Sequence, residues 1–119
     1  MSGIASYKEN SVVTQPKGRI VVLLYEGAVK FLRQAIHEIE AGNMIEKGQL
    51  ISKAIQIIIE LSGSLNMEEG GEIAENLRSL YTFMGEHLTR ANFHCDTQAI
   101  QDVISLLEEL NEGWKAISD

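Results

Sequence analysis

The sequence has 119 residues, which suits one domain, and a chain of this size removes roughly two-thirds of its unfolded surface from water on folding. Its hydrophobic fraction of 45% argues against disorder, and a net charge of −7 with a pI near 4.9 argues against nucleic acid and anionic lipid as partners. Cys95 is the only cysteine, which excludes an intrachain disulfide and fits a reducing cytoplasm. The opening Met1-Ser2-Gly3-Ile4 shows no basic segment followed by an apolar one, so no signal peptide is expected. The longest purely apolar run, Ile20 to Tyr25, is too short to span a bilayer.

Pro occurs once, at Pro16, and Ile, Leu, Glu and Ala dominate, a mix that favours helix over strand. Residues 1–15 read as a polar arm with scattered apolar side chains, among them Tyr7, Val12 and Val13. A first helix is predicted over 16–41, with Pro16 in its first turn. Glu26, Lys30, Arg33, His37 and Glu40 mark its wet face, and Gly42 its C-cap. A second is predicted over 43–65, opened by Asn43 and Glu46 at capping-box spacing, with Lys53, Gln56, Glu60 and Ser64 as a narrow polar stripe. After a turn at 66–71, a third helix over 71–92 carries Ile73, Leu77, Leu80, Met84, Leu88 and Ala91 at three- and four-residue steps. Asp96 is the expected N-cap of a fourth helix over 96–117, where Ile100, Val103, Leu107, Leu110, Trp114 and Ile117 follow a seven-residue repeat. Short connections make successive helices antiparallel neighbours. The expected fold is therefore all-α, a single-domain antiparallel up-down four-helix bundle with a short N-terminal arm or cap helix.

The first two helices carry more apolar surface than a bundle core needs. Ile57, Ile58 and Ile59 are consecutive, and at about 100° per residue they span roughly 200°, so they cannot all face the bundle axis. Val21 to Tyr25 raise the same problem. Three covers satisfy it: the N-terminal arm, a partner's amphipathic helix laid in a groove, or a second copy of the chain. The candidate surface residues are Tyr25, Ile57, Ile58, Leu61, Leu65, Leu77, Tyr81 and Met84, each of which is equally at home in a packed core.

Catalytic chemistry is weakly represented. The residues three before His37, His87 and His94 are Gln34, Met84 and Ala91, so the Glu-x-x-His pairs of di-iron bundles are absent. His94 beside Cys95 is the minimal nucleophile-base or metal pair, but no CxxC or HxxxH accompanies it. Gly70-Gly71 lacks the Lys and spacing of a phosphate loop. Glu108, Glu109 and Glu112 read as a solvated face. No catalytic residue, metal or cofactor is expected, and the chain reads as a protein that acts by binding.

The motif set resembles the flagellin export chaperones, the FliS family. Tyr7, Asn10, Val13, Thr14 and Pro16, then Leu24-Tyr25-Glu26-Gly27-Ala28 with Phe31-Leu32, are similar to that family's N-terminal signature. Leu61 to Met67, Gly70 to Leu77 and Leu80-Tyr81 resemble its centre, and Leu106-Leu107 through Leu110 to Trp114-Lys115 its last helix. The resemblance covers essentially the whole chain. It implies a cytoplasmic chaperone that binds the disordered C-terminal segment of flagellin, prevents premature polymerisation and delivers it to the flagellar type III export gate. It also implies an arm, bearing Tyr7, Asn10 and Val13, that caps the groove in the free protein, with a homodimer as one form of the free state. A homodimeric bundle or adaptor without flagellin binding is the alternative. Gln15, Lys17, Gly18 and Arg19 depart from the pattern. Two cations there oppose the helix dipole, and Gly18 costs about 1 kcal/mol if it lies inside the helix.

Overall fold

The computed structural model describes Val12 and residues 18–117. Four helices follow one another: α1 (Arg19–Ala41), α2 (Met44–Gly63), α3 (Met67–His94) and α4 (Thr97–Ile117). Their ends follow local chemistry. Gly18 precedes α1 with φ 49° and ψ −110°, a conformation open to glycine and closed to side chains that carry a Cβ. It therefore serves as the N-cap outside α1 rather than as a weak residue within it. The expected start at Pro16 lies outside the described residues. Gly42 takes the left-handed conformation at φ 82°, and its N–H bonds back to the carbonyl of Ile39, as its position after the last apolar residue predicts.

Two caps differ from expectation. Asn43 precedes α2, but its side chain makes no capping bond; its Nδ2 donates instead to Glu38 Oε2 at 3.3 Å, so the capping box does not form. The predicted turn over 66–71 is largely helical. Asn66 Oδ1 accepts the Glu69 N–H at 3.1 Å, a side-chain cap that starts α3 four residues earlier than the pattern suggests. Gly71, at φ 53° and ψ −131°, then interrupts the helix before it resumes. The Asp96 cap forms as expected, its Oδ1 accepting the Ala99 N–H.

Successive helices pack side by side and α1 closes onto α4, while neither diagonal pair is in direct backbone contact. Antiparallel order is visible in the cross-helix pairs. Arg33 meets Glu108 and Lys115 approaches Glu26 between α1 and α4; Lys53 sits over the Phe31 ring between α1 and α2; Lys47 reaches Asn92 between α2 and α3. The chain is thus an all-α four-helix bundle. The core takes Leu32, Ile51, Met84, Leu88, Ile100, Ile104 and Leu107, all fully buried. Along α4 the seam is wider than the seven-residue repeat, since Ala99, Ile104 and Asn111 are also buried. Two expected placements change. Ser64 is buried, its hydroxyl donating to the Leu61 carbonyl, and Ile73 is exposed.

Candidate functional site

Two adjoining helices that offer small residues to each other cannot close the space between them. Along α2 those residues are Ser62 and Gly63, and along α3 Gly85; a Cβ added at Gly63 or Gly85 would meet nothing within 4 Å. The result is an open groove of about 820 Å³ between α2 and α3. Ile58 and Tyr81, both nearly inaccessible, form its floor, and Ile55, Ile59, Thr82 and Thr89 its walls. Glu86 and Arg90 line it on the α3 side. The Thr89 hydroxyl is satisfied within its own helix, donating to the Gly85 carbonyl at 2.8 Å, which reduces the polar demand of that wall. Ile59 is 64% exposed, an unusual position for a large aliphatic side chain with a packed core beside it.

The floor is held from below. Tyr25 of α1 and Tyr81 of α3 reach across the diagonal of the bundle, their hydroxyls 2.5 Å apart. The Tyr25 ring also packs at 6.5 Å from that of Trp114. Burial pushes both phenols above their ordinary range; for Tyr25 the hydroxyl of Tyr81 and the indole of Trp114 pull the other way, whereas for Tyr81 the charge Tyr25 would carry adds to the upward push. Both are therefore neutral, and the pair is a hydrogen-bonded support rather than an acid or base.

At the far end, Lys47 is buried without a carboxylate. Its Nζ donates to the Asn92 carbonyl at 2.8 Å and to Asn92 Oδ1 at 2.7 Å. The ammonium thus satisfies a late carbonyl of α3 at the negative end of that helix dipole and ties the first turn of α2 to it.

Of the eight candidate surface residues in the described region, the structure brings Ile58 and Tyr81 to the groove. Tyr25, Leu61, Leu65, Leu77 and Met84 lie in the packed interior instead, because their helical positions face the bundle axis. Ile57 is half-buried and faces α1, within van der Waals reach of a Cβ placed on Gly27. The groove residues that the pattern did not single out are Ile55, Ile59, Gly63, Gly85 and Thr89. A signal for Ile59 was present, since one of three consecutive isoleucines had to face outward; small residues spaced along α2 and α3 carry no hydropathy signal. Tyr7, Asn10 and Val13 lie outside the described residues. Val12 is buried, and its carbonyl accepts the Asn66 N–H at 2.7 Å.

Two other clefts are of a different character. One between α1 and α4, about 700 Å³, is lined by Glu26, Lys30, Arg33, Glu108 and Lys115 and laced by ion pairs; one between α1 and α2, about 500 Å³, is similarly charged. The His94-Cys95 pair does not converge on a common point. The Cys95 thiol contacts Met44 Sδ at 3.4 Å, and the His94 ring stands edge-on to Phe93. Among the described residues no helix is long and apolar enough to cross a membrane.

Comparison with known proteins agrees with this architecture. The profile of the family described as "Flagellar protein FliS" matches residues 1–119. A flagellar secretion chaperone FliS of Salmonella typhimurium is 40% identical over 122 aligned positions, covering 98% of this chain and 90% of the relative. That of Vibrio cholerae is 39% identical, covering 96% and 87%, and that of Bacillus subtilis 33%, covering 92% and 81%. With a match over its full length and relatives of this identity, the chain belongs to the flagellar protein FliS family.

Proposed function

We propose that the chain is a cytoplasmic export chaperone that holds the C-terminal segment of flagellin and delivers it to the flagellar export gate. The relatives are named flagellar secretion chaperones, which supports an export role. The observation that carries the choice of site is the groove between α2 and α3, with an exposed isoleucine on its wall and apolar side chains on its floor. Such a groove fits the apolar face of an amphipathic helix. A segment that polymerises through that face is kept from its own kind while the groove holds it. Residues Tyr7, Asn10 and Val13 are proposed to cap the groove in the free protein, a role supported by the burial of Val12 between them.

The test is calorimetry with the C-terminal segment of flagellin. Binding with a clearly negative heat-capacity change is expected, because apolar surface is buried. Gly85→Leu places a side chain in the open groove without touching the core. It should weaken binding by tenfold or more, roughly the effect of blocking a central anchor position, while leaving the helical circular dichroism intact. Unchanged affinity in this variant would remove the groove as the site, and no affinity of the wild type would remove flagellin as the client. In the second case a bundle that only pairs with itself becomes the better reading, and equilibrium sedimentation would show a saturated dimer.

A further inference from the structure

The groove stops short of a second apolar feature. Ile45 at the start of α2 and Phe93 at the end of α3 are 75% and 84% exposed, the most exposed large apolar side chains among the described residues. They lie at the same end of the bundle, where Lys47 bonds Asn92 and Cys95 touches Met44. They also share the groove's faces. Ile45 precedes Gly63 by about eighteen residues, which is five whole turns, so the two lie in line on α2. Phe93 follows Thr82 by about three turns and lies in line with it on α3. Between these ends, α2 presents Gly48 and Ser52 along the same stripe as Ile55 and Ile59. Small side chains there extend the trough, and the Lys47-Asn92 bonds fix the distance between its banks.

We infer that the groove continues to this tip, and that Ile45 and Phe93 anchor the far end of the same client helix. The inference rests on the reading of the α2-α3 groove as the flagellin site. It specifies the ligand as one unbroken amphipathic helix of about eighteen residues, roughly 27 Å long at 1.5 Å per residue. Its apolar side chains recur every three or four residues, and its final apolar turn sits between Ile45 and Phe93. Continuity of both stripes favours one long helix over a second copy of the chain, which would need a separate surface to reach the tip.

The experiment compares two flagellin C-terminal peptides, one of about ten residues filling the central groove and one extended by two turns, against four proteins: wild type, Ile45→Ser, Phe93→Ser and Gly85→Leu. Both tip residues are exposed, so the Ser variants are expected to fold. In the wild type the longer peptide should bind tenfold or more tightly than the shorter, the gain expected from filling an additional anchor site. In Ile45→Ser and Phe93→Ser that gain should vanish while the shorter peptide binds as before. Equal gain in all three overturns the tip anchor but leaves the groove standing, provided Gly85→Leu weakens both peptides. If Gly85→Leu changes neither, the groove itself is wrong and the inference falls with it. If the Ser variants abolish self-association in sedimentation and leave both affinities unchanged, the tip is a contact between copies and the inference is overturned.

Discussion

The Tyr25-Tyr81 pair shows how a single polar contact can be both costly and useful. Each hydroxyl is buried and each is satisfied by the other. Tyr81→Phe leaves the Tyr25 hydroxyl without that partner, a loss of about 1–3 kcal/mol, and the double Phe variant should cost less than the two single variants together. A urea-unfolding double-mutant cycle measures this. The pair also sets an alkaline limit. Both phenols ordinarily ionise at 10.0, and burial raises both in the folded chain. The folded state keeps protons that the unfolded state releases above that pH. Stability should therefore be flat below pH 10 and fall as pH rises beyond it, and the fall should shrink in the double Phe variant. Cys95 offers a second residue-scale test. It holds φ 52° at the C-cap of α3, where a side chain is strained and glycine is not. Cys95→Gly should raise the thermal midpoint by an amount corresponding to about 0.5–1 kcal/mol, read by calorimetry, and metal content should stay at background in both proteins.

At the scale of the helices, Gly85 is out of place by propensity alone. A glycine in the middle of a helix costs about 1 kcal/mol relative to alanine, and no neighbour here requires the missing Cβ. Gly85→Ala should stabilise α3 by close to that amount in urea unfolding. The helix pattern was largely legible from the spacing of apolar residues, because every buried position in α4 and most in α1 follow the 3.6-residue period. What escaped depended on three-dimensional placement. Three consecutive isoleucines require one to face outward, but the choice of Ile59 over Ile57 is made by the neighbours: α1 receives Ile57 and the groove leaves Ile59 open. Similarly, Asn66 and Gly71 read as a turn because both favour one, whereas the Asn66 side chain caps a helical turn that Gly71 then interrupts. Tyr25 and Met84 looked like surface candidates because apolar residues on a broad face are alike in sequence, and only packing separates those that face the axis.

For the whole molecule, the faces are divided by chemistry. The α1-α4 side is crossed by ion pairs such as Arg33-Glu108, whose partners are both about half exposed and contribute little to stability. The α2-α3 side carries the open apolar groove. A net charge of −7 keeps such a molecule soluble despite that groove. The arm joins this layout at one defined point, the bond from the Asn66 N–H to the Val12 carbonyl. Asn66 also begins α3, so the junction is fixed to the framework of the bundle. Its amide proton is thereby a built-in clock for the arm. While Val12 is docked, exchange of that proton with deuterated solvent is slow; each departure of Val12 exposes it. If a client displaces the arm, Asn66 should exchange faster in the complex than in the free chain, even as the amides of α2 and α3 beneath the client slow down. Equal protection of Asn66 in both states would mean that the arm stays in place while the client binds.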